Sequence, residues 1–155
     1  MAWFVPLART WQLGSVVSTA TSYLSAADAV QYVDWTLYAQ LLVDATTPDG
    51  QQVTPLQSSA QVQSSPRFNQ MLLAASGRAE SLLCNAALGP PRYTVSQLGS
   101  FSGAAKEDFN LLLARLTACI LYDRRPDKSP APMPVFWNDT VWRLNAYATG
   151  DLEFQ

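Results

Sequence analysis

Apolar residues recur at intervals of three and four along two long stretches of the chain, which is the spacing of one face of an α-helix. The first stretch covers residues 67–88, where the apolar positions fall on a single face. The second begins at Ser102 or Gly103, runs to about Tyr122 and includes Phe109 in its apolar stripe. The spacing therefore predicts two long helices as the main elements of the fold.

Shorter elements are marked by residues that cap helices or form turns. Ser25 and Asp34 are favourable N-cap residues, and they predict two short helices over residues 26–33 and 35–44, or one helix with a break. Residues 47–50 have the sequence Thr-Pro-Asp-Gly, which predicts a turn. The first part of the domain is therefore expected to be helical up to this turn.

A Ser- and Gln-rich stretch, residues 51–65, predicts a long mobile loop after the turn. Ser65 followed by Pro66 then starts the first long helix, because a hydroxyl caps well and proline fits the first helical turn. Gly89 and the two prolines after it end that helix. The first long helix is therefore expected to lie between two well-marked boundaries.

The rest of the chain surrounds the second long helix. Before it, residues 92–95 favour a short strand. After it, a Pro-rich segment, residues 126–134, predicts a stiff extended hinge that leads to a last helix over residues 138–148. Gly150 is expected to end this last helix.

These elements predict an all-α fold, a small bundle of about five helices with an extended N-terminal segment, a long loop and a C-terminal docking helix. We divide the chain into an aromatic N-terminal extension, 1–22, a helical core domain, 23–125, and a Pro-rich hinge with a docking helix and tail, 126–155. The extension shows no sustained period, so we expect it to be extended or ordered by a partner. A length of 155 residues suits one compact domain.

The two long helices also carry apolar or small residues on a second face, opposite the main stripe. Only 14% of residues are charged, whereas about 25% is typical of soluble domains. A subunit whose flanks are covered by neighbours needs less polar surface than a monomer does. We therefore predict a subunit interface that contains Leu73, Gly77, Cys84, Leu111, Ala114, Ala118, Leu121 and Tyr122. We add Arg124 and Arg125, because arginine is enriched at interfaces.

The second faces have an alternative explanation. A central helix is normally apolar all round, so these faces are also consistent with the core of a monomer. The two explanations differ in one observable property. In a monomer the chain itself encloses Leu111, Ala118 and Leu121, whereas in an assembly sister subunits cover them.

The composition excludes most catalytic and metal-binding chemistry. The chain has no His and two Cys, so imidazole bases, His ligands and most zinc sites are missing. Cys84 and Cys119 have neither metal-ligand spacing nor the arrangement of a disulfide framework. We therefore predict that the protein is not an enzyme and has no catalytic residues, no cofactor and no metal site.

Two short stretches and the order of the helices point to one family. Residues 121–125 read Leu-Tyr-Asp-Arg-Arg, and residues 148–150 read Ala-Thr-Gly at the end of the last helix. Between residues 23 and 150 the order is helix, Asp-Gly turn, long helix, loop, helix, linker and short helix. This arrangement resembles the small helical head–tail adaptor, or connector, proteins of tailed bacteriophages, including the Mu-like ones.

The resemblance implies a structural virion protein that forms a homo-oligomeric ring of about twelve copies with cyclic packing. The ring would join the portal protein to the next neck or tail protein and line the DNA exit channel, in the virion neck, after assembly in the host cytoplasm. A net charge of −2 fits passage of DNA without specific binding, and no membrane partner is expected. We expect portal or tail docking through Trp3, Phe4, Trp11, Trp137, Trp142 and Phe154.

Other functions remain open. Another phage neck or tail-completion assembly protein would share the lack of chemistry and differ in its place in the particle. A small helical DNA-binding regulator needs basic residues on the second helix of a helix-turn-helix, and the helix that begins at Pro66 carries only Arg67 and Arg78. An enzyme would be recognised by a metal requirement or by substrate turnover.

Overall fold

The computed structural model describes residues 22–43, 56–84, 90–124 and 133–154. Within these ranges 78% of the residues are helical and none is in a strand, which confirms the predicted all-α helical bundle. The extension up to residue 21, the turn at residues 47–50 and most of the Pro-rich hinge lie outside the described residues. The described helices are α1 (Ala26–Tyr32), α2 (Trp35–Leu42), α3 (Ser59–Ser64), α4 (Pro66–Leu83), α5 (Val95–Ser100), α6 (Gly103–Arg124) and α7 (Met133–Thr149).

The predicted caps are present at the start of three helices. The Ser25 hydroxyl accepts a hydrogen bond from the Asp28 N–H at 3.2 Å, and this bond begins α1. The Asp34 carboxylate accepts one from the Thr36 N–H at 3.1 Å and begins α2. At α4 the Ser65 hydroxyl accepts from the Phe68 N–H, with proline in the first turn. Sequence reasoning therefore located these boundaries correctly.

The end of the Ser- and Gln-rich stretch is helical, so the prediction of a loop up to Ser65 is wrong there. Ser58 caps α3 by accepting a hydrogen bond from the Gln61 N–H at 3.2 Å. Val62 is fully buried and anchors this otherwise polar helix to the core. One buried side chain is too weak a pattern to reveal a helix from the sequence, because periodicity needs several apolar positions.

The segment before the second long helix is not a strand. Thr94 caps α5 and forms a capping box with Gln97. The Gln97 N–H donates to Thr94 Oγ1 at 3.1 Å, and the Thr94 N–H donates to Gln97 Oε1 at 2.8 Å. Leu98 is the residue of α5 that is buried. The Thr-x-x-Gln spacing that specifies this helix outweighs the β-propensity of Tyr93 and Val95.

The last helix begins at Met133 rather than near Asn138, so the extended hinge was predicted too long. Pro134 lies in the first turn of α7, where its missing N–H leaves no helical hydrogen bond unmade. Met133 is fully buried and fixes this end of the helix. At the other end Gly150 has a left-handed φ of +94°, and its N–H donates to the Ala146 carbonyl at 3.0 Å. Gly150 therefore ends α7 as predicted.

Helix α6 lies at the centre of the bundle and contacts α1, α2, α4 and α7. Tyr38 on α2 is fully buried, and its hydroxyl donates to the Ala114 carbonyl of α6 at 2.7 Å. The Tyr38 ring also packs against Phe68 of α4, with 4.6 Å between ring centroids. On the other side α7 buries Leu144 and Ala148 in the same core. The last helix is therefore part of the folded core.

We expect Gly150→Ala to lower the free energy of unfolding by about 1–2 kcal/mol, because an L-residue is strained at positive φ. A Cβ at this position would also lie 2.6 Å from Arg92 Nη1, so the guanidinium would have to move. The matched control is Gly99→Ala in α5, where the nearest side-chain atom is 4.0 Å away. Urea denaturation should show unchanged or slightly higher stability for the control, and equal losses in both variants would contradict this account.

Candidate functional site

The outward side of α7 carries large apolar side chains in solvent. Val135 is 69% exposed and Trp142 is 58% exposed. They are seven residues apart, which is two helical turns, so they lie on one face. The neutral side chains of Asn138 and Asn145 are exposed on the same side. We call the surface formed by Val135, Asn138, Trp142 and Asn145 the α7 outer patch.

Packing of the opposite side of α7 fixes the direction in which this patch points. Met133, Thr140 and Leu144 are buried on that side, against α6 and α4. Turning Trp142 inward would expose these three side chains to water. Burial of one large apolar side chain stabilises a fold by about 1.5–3 kcal/mol, so the rotation is unfavourable. Trp142 is therefore held on the surface of a helix that cannot easily rotate.

A cluster of charges locks α7 to α6 beside the patch. Arg115 of α6 donates through Nη1 to Asp139 Oδ2 at 3.0 Å, and Arg143 donates through Nε to the same oxygen at 3.0 Å. The Arg115 guanidinium also lies over the Phe136 ring, 5.0 Å from its centroid. The Arg143 contact spans one helical turn, whereas the Arg115 contacts join two helices. The charges near the patch are thus paired with each other.

Trp137, a predicted docking residue, contacts a predicted interface residue within the same chain. Its ring meets that of Tyr122 edge to face, with 6.3 Å between centroids. Both side chains are half-buried. The structure therefore brings Trp137 and Tyr122 together as a contact between α6 and α7, on the side of the helix away from Trp142.

The prediction that Phe154 is a docking residue is not supported by its position. Its ring stacks on Tyr147 with 3.9 Å between centroids and 7° between planes. The same ring also packs against those of Phe101, Phe109 and Tyr93, with centroid separations of 5.0, 5.5 and 5.4 Å. The C-terminal tail therefore folds back onto an aromatic cluster, and Phe154 is used in the protein's own packing.

The assignment of Ala114, Ala118 and Leu121 to a subunit interface is wrong. All three are fully buried within the single chain. Sequence reasoning assumed that about five helices cannot surround one, but α1, α2, α4 and α7 all contact α6. Leu111, in contrast, is half-buried, so part of its side chain is accessible. The all-round apolar character of α6 is that of a central helix.

The other residues predicted for the interface or for docking differ in their burial and in whether the structure describes them. Arg124 donates through Nη2 to the Leu41 carbonyl at 3.0 Å, so its guanidinium binds the C-terminal end of α2. Leu73, Gly77 and Cys84 on or just after α4 are half-buried. Arg125, Trp3, Phe4 and Trp11 lie outside the described residues.

No protein-family model, curated protein or solved structure matches the chain.

The described residues offer little reactive chemistry. Among them no three His, Cys, Asp or Glu side chains converge as a metal site would require. Burial raises the pKa of the Cys84 and Cys119 thiols to about 11, so both are protonated near neutral pH. Burial also raises the pKa of Tyr23, whose hydroxyl donates to Glu80 at 2.6 Å. In the described ranges, no helix is long and apolar enough to span a membrane.

The raised thiol pKa values predict a loss of stability in alkali. A thiol with a pKa of about 11 in the fold holds its proton more tightly than it does in the unfolded chain, where about 8.5 is usual. Its contribution is complete below about pH 8.5 and declines as the pH rises through 11. We expect the urea concentration at the unfolding midpoint to decrease when the pH is raised from 8 to 10.5. The decrease should be smaller in Cys119→Ala. An equal fall in the variant would exclude a contribution from Cys119.

Sequence reasoning missed Val135 because it placed the start of the last helix at residue 138. With the helix begun at Met133, the spacing of seven between Val135 and Trp142 marks an outward apolar pair. The charge cluster of Arg115, Asp139 and Arg143 was also missed. Its contacts between α6 and α7 depend on tertiary packing that periodicity does not reveal.

Proposed function

We propose that this chain is a head–tail adaptor of a tailed bacteriophage, a structural subunit that docks to the portal through the α7 outer patch. The proposal depends mainly on the exposure of Trp142, a large aromatic side chain that is 58% exposed on a helix held in one orientation. Tryptophan is enriched among the residues that dominate the energy of protein interfaces. An exposed tryptophan flanked by neutral side chains suits a protein partner.

The sequence resemblance over residues 23–150 supports the choice of partner. The proposed complex is a ring of about twelve copies between the portal and the next neck or tail protein, with cyclic packing. The half-buried members of the predicted interface, among them Leu73, Gly77 and Leu111, are the ones proposed for lateral contacts. The buried residues of α6 have no part in the proposed interface.

The charge of the chain supports a role beside DNA that does not hold it. The chain has 10 basic and 12 acidic residues and a net charge of −2. Proteins that bind DNA non-specifically do so mainly through Lys and Arg that displace counterions from phosphates. A ring of such subunits would therefore give DNA passage through its channel with little attraction.

The test is the mass of the purified chain by native mass spectrometry, alone and mixed with a candidate portal. We expect a monomer or a mixture of small species alone, and a closed ring of this chain on the portal when both are present. No complex with the portal, together with a complex on a tail-tube protein, would assign the chain to another phage neck or tail-completion protein. No complex with either would overturn the proposal.

A further inference from the structure

An open groove lies between the N-terminal ends of α1 and α4, on a part of the molecule that the proposed docking patch does not use. Its volume is about 550 Å³, within the range of sites that hold ligands or peptide side chains. Leu24 and Leu72 are buried beneath it, and Leu73 is half-buried at its side. The described lining residues carry no charge: they are Ser22, Leu24, Ser25, Ala26, Pro66, Asn69, Gln70, Leu72 and Leu73.

The chain enters the described fold at the edge of this groove, and its entry point is fixed. Ser22 lines the groove, and its hydroxyl lies 3.1 Å from Ser76 Oγ and donates to the Leu24 carbonyl at 2.6 Å. The Tyr23 N–H donates to Ser76 Oγ at 3.0 Å. Ser76 is itself buried on α4. Residues 1–21 are therefore joined to the fold at a point that belongs to the groove.

The residues that precede Ser22 match the groove in chemistry. Residues 1–21 contain Trp3, Phe4 and Trp11, and Arg9 is their one charged side chain. An uncharged groove with the half-buried Ala26 and Leu73 in its lining gains free energy when apolar side chains cover it, and it offers nothing to a charged peptide. We propose that this groove is the docking site of the aromatic N-terminal segment, residues 1–21, of the same chain.

The length of chain makes docking within one molecule feasible. Trp11 is 11 residues from Ser22, so it lies no farther than about 40 Å from the edge of the groove even with the chain fully extended. A segment tethered this closely has an effective concentration of the order of millimolar. Weak apolar contacts then suffice to occupy the groove, whereas the same segment of a second copy would compete only at much higher protein concentration. The tether therefore favours the same chain over a second copy.

The experiment is site-specific photo-crosslinking in the full chain. The photo-reactive residue p-benzoyl-phenylalanine replaces Leu73 at the side of the groove, and the crosslinked product is separated by size and mapped by peptide mass spectrometry. We expect a crosslink between position 73 and a peptide within residues 1–21, in a product of monomer mass. The control places the same group at Val95, which is 48% exposed and outside the groove.

Two further measurements make the result decisive. Replacing Trp3, Phe4 and Trp11 together by Ser should reduce the crosslink at position 73 to the level at Val95, while far-UV circular dichroism stays unchanged. A product of dimer mass would assign the groove to a second copy and overturn the proposal. A crosslink yield at position 73 that is no higher than the yield at Val95 would also overturn the proposal. The chain is tested without a portal, so neither outcome depends on the proposed adaptor function.

Discussion

Replacing Leu121 by Ala is expected to lower the free energy of unfolding by about 3 kcal/mol, at every protein concentration. Leu121 is fully buried in the single chain, on the helix that α1, α2, α4 and α7 contact. Truncation of a buried leucine removes its burial energy and leaves a cavity, which together cost about 2–5 kcal/mol. If sister subunits covered this side chain instead, the loss would appear only at concentrations where the assembly forms.

The matched control is Leu111→Ala, the same substitution on the same helix at a half-buried position. Its expected loss is about 1 kcal/mol, because less of the side chain leaves a packed environment. Urea denaturation of both variants at two concentrations that differ 50-fold or so would check the prediction. A loss in Leu121→Ala that appears only at the higher concentration would restore the interface assignment that the structure overturns.

The elements that could be predicted from the sequence are those specified by local signals. Ser25, Asp34 and the Ser65-Pro66 pair cap the helices that they were expected to cap. The long apolar stripes of α4 and α6 allowed both helices to be predicted, because an apolar repeat over several turns seldom arises by chance. The all-α fold follows from these elements, because the described residues add only further helices.

The short helices α3 and α5 could not be predicted in this way. Each contains a single buried apolar residue, Val62 or Leu98, so neither has a measurable period. Both are specified by a hydroxyl cap instead, at Ser58 and Thr94. A search for Ser or Thr followed three residues later by Gln finds both caps, because Gln61 and Gln97 occupy that position.

The interface was mispredicted for a different reason. Whether the second face of α6 is covered by the chain or by a neighbour depends on how many elements surround the helix, and α1, α2, α4 and α7 all contact it. The aromatic cluster around Phe154 is equally non-local, since Tyr93, Phe101 and Tyr147 come from three separate segments. Periodicity identifies an apolar face but not what packs against it.

Replacing Trp142 by Ala is expected to weaken binding to the portal by about 30-fold or more. Truncation of an interface tryptophan that anchors a contact costs about 2 kcal/mol or more, and 1.4 kcal/mol corresponds to a tenfold change in affinity. Trp142 is 58% exposed, and the charges beside it are paired with one another. The fold should therefore tolerate its loss with a change in stability within about 0.5 kcal/mol.

The measurement is the dissociation constant for the portal, followed by titration with the purified chain and its variants. The control is Val95→Ala, which truncates another exposed apolar side chain on a different helix, α5. We expect Val95→Ala to bind like the unmodified chain and Val135→Ala to lose affinity in the same direction as Trp142→Ala, by less. If Trp142→Ala keeps full affinity while the unmodified chain binds the portal, docking does not use the α7 outer patch. Because the folded state is unaffected in either case, the result reports on the surface alone.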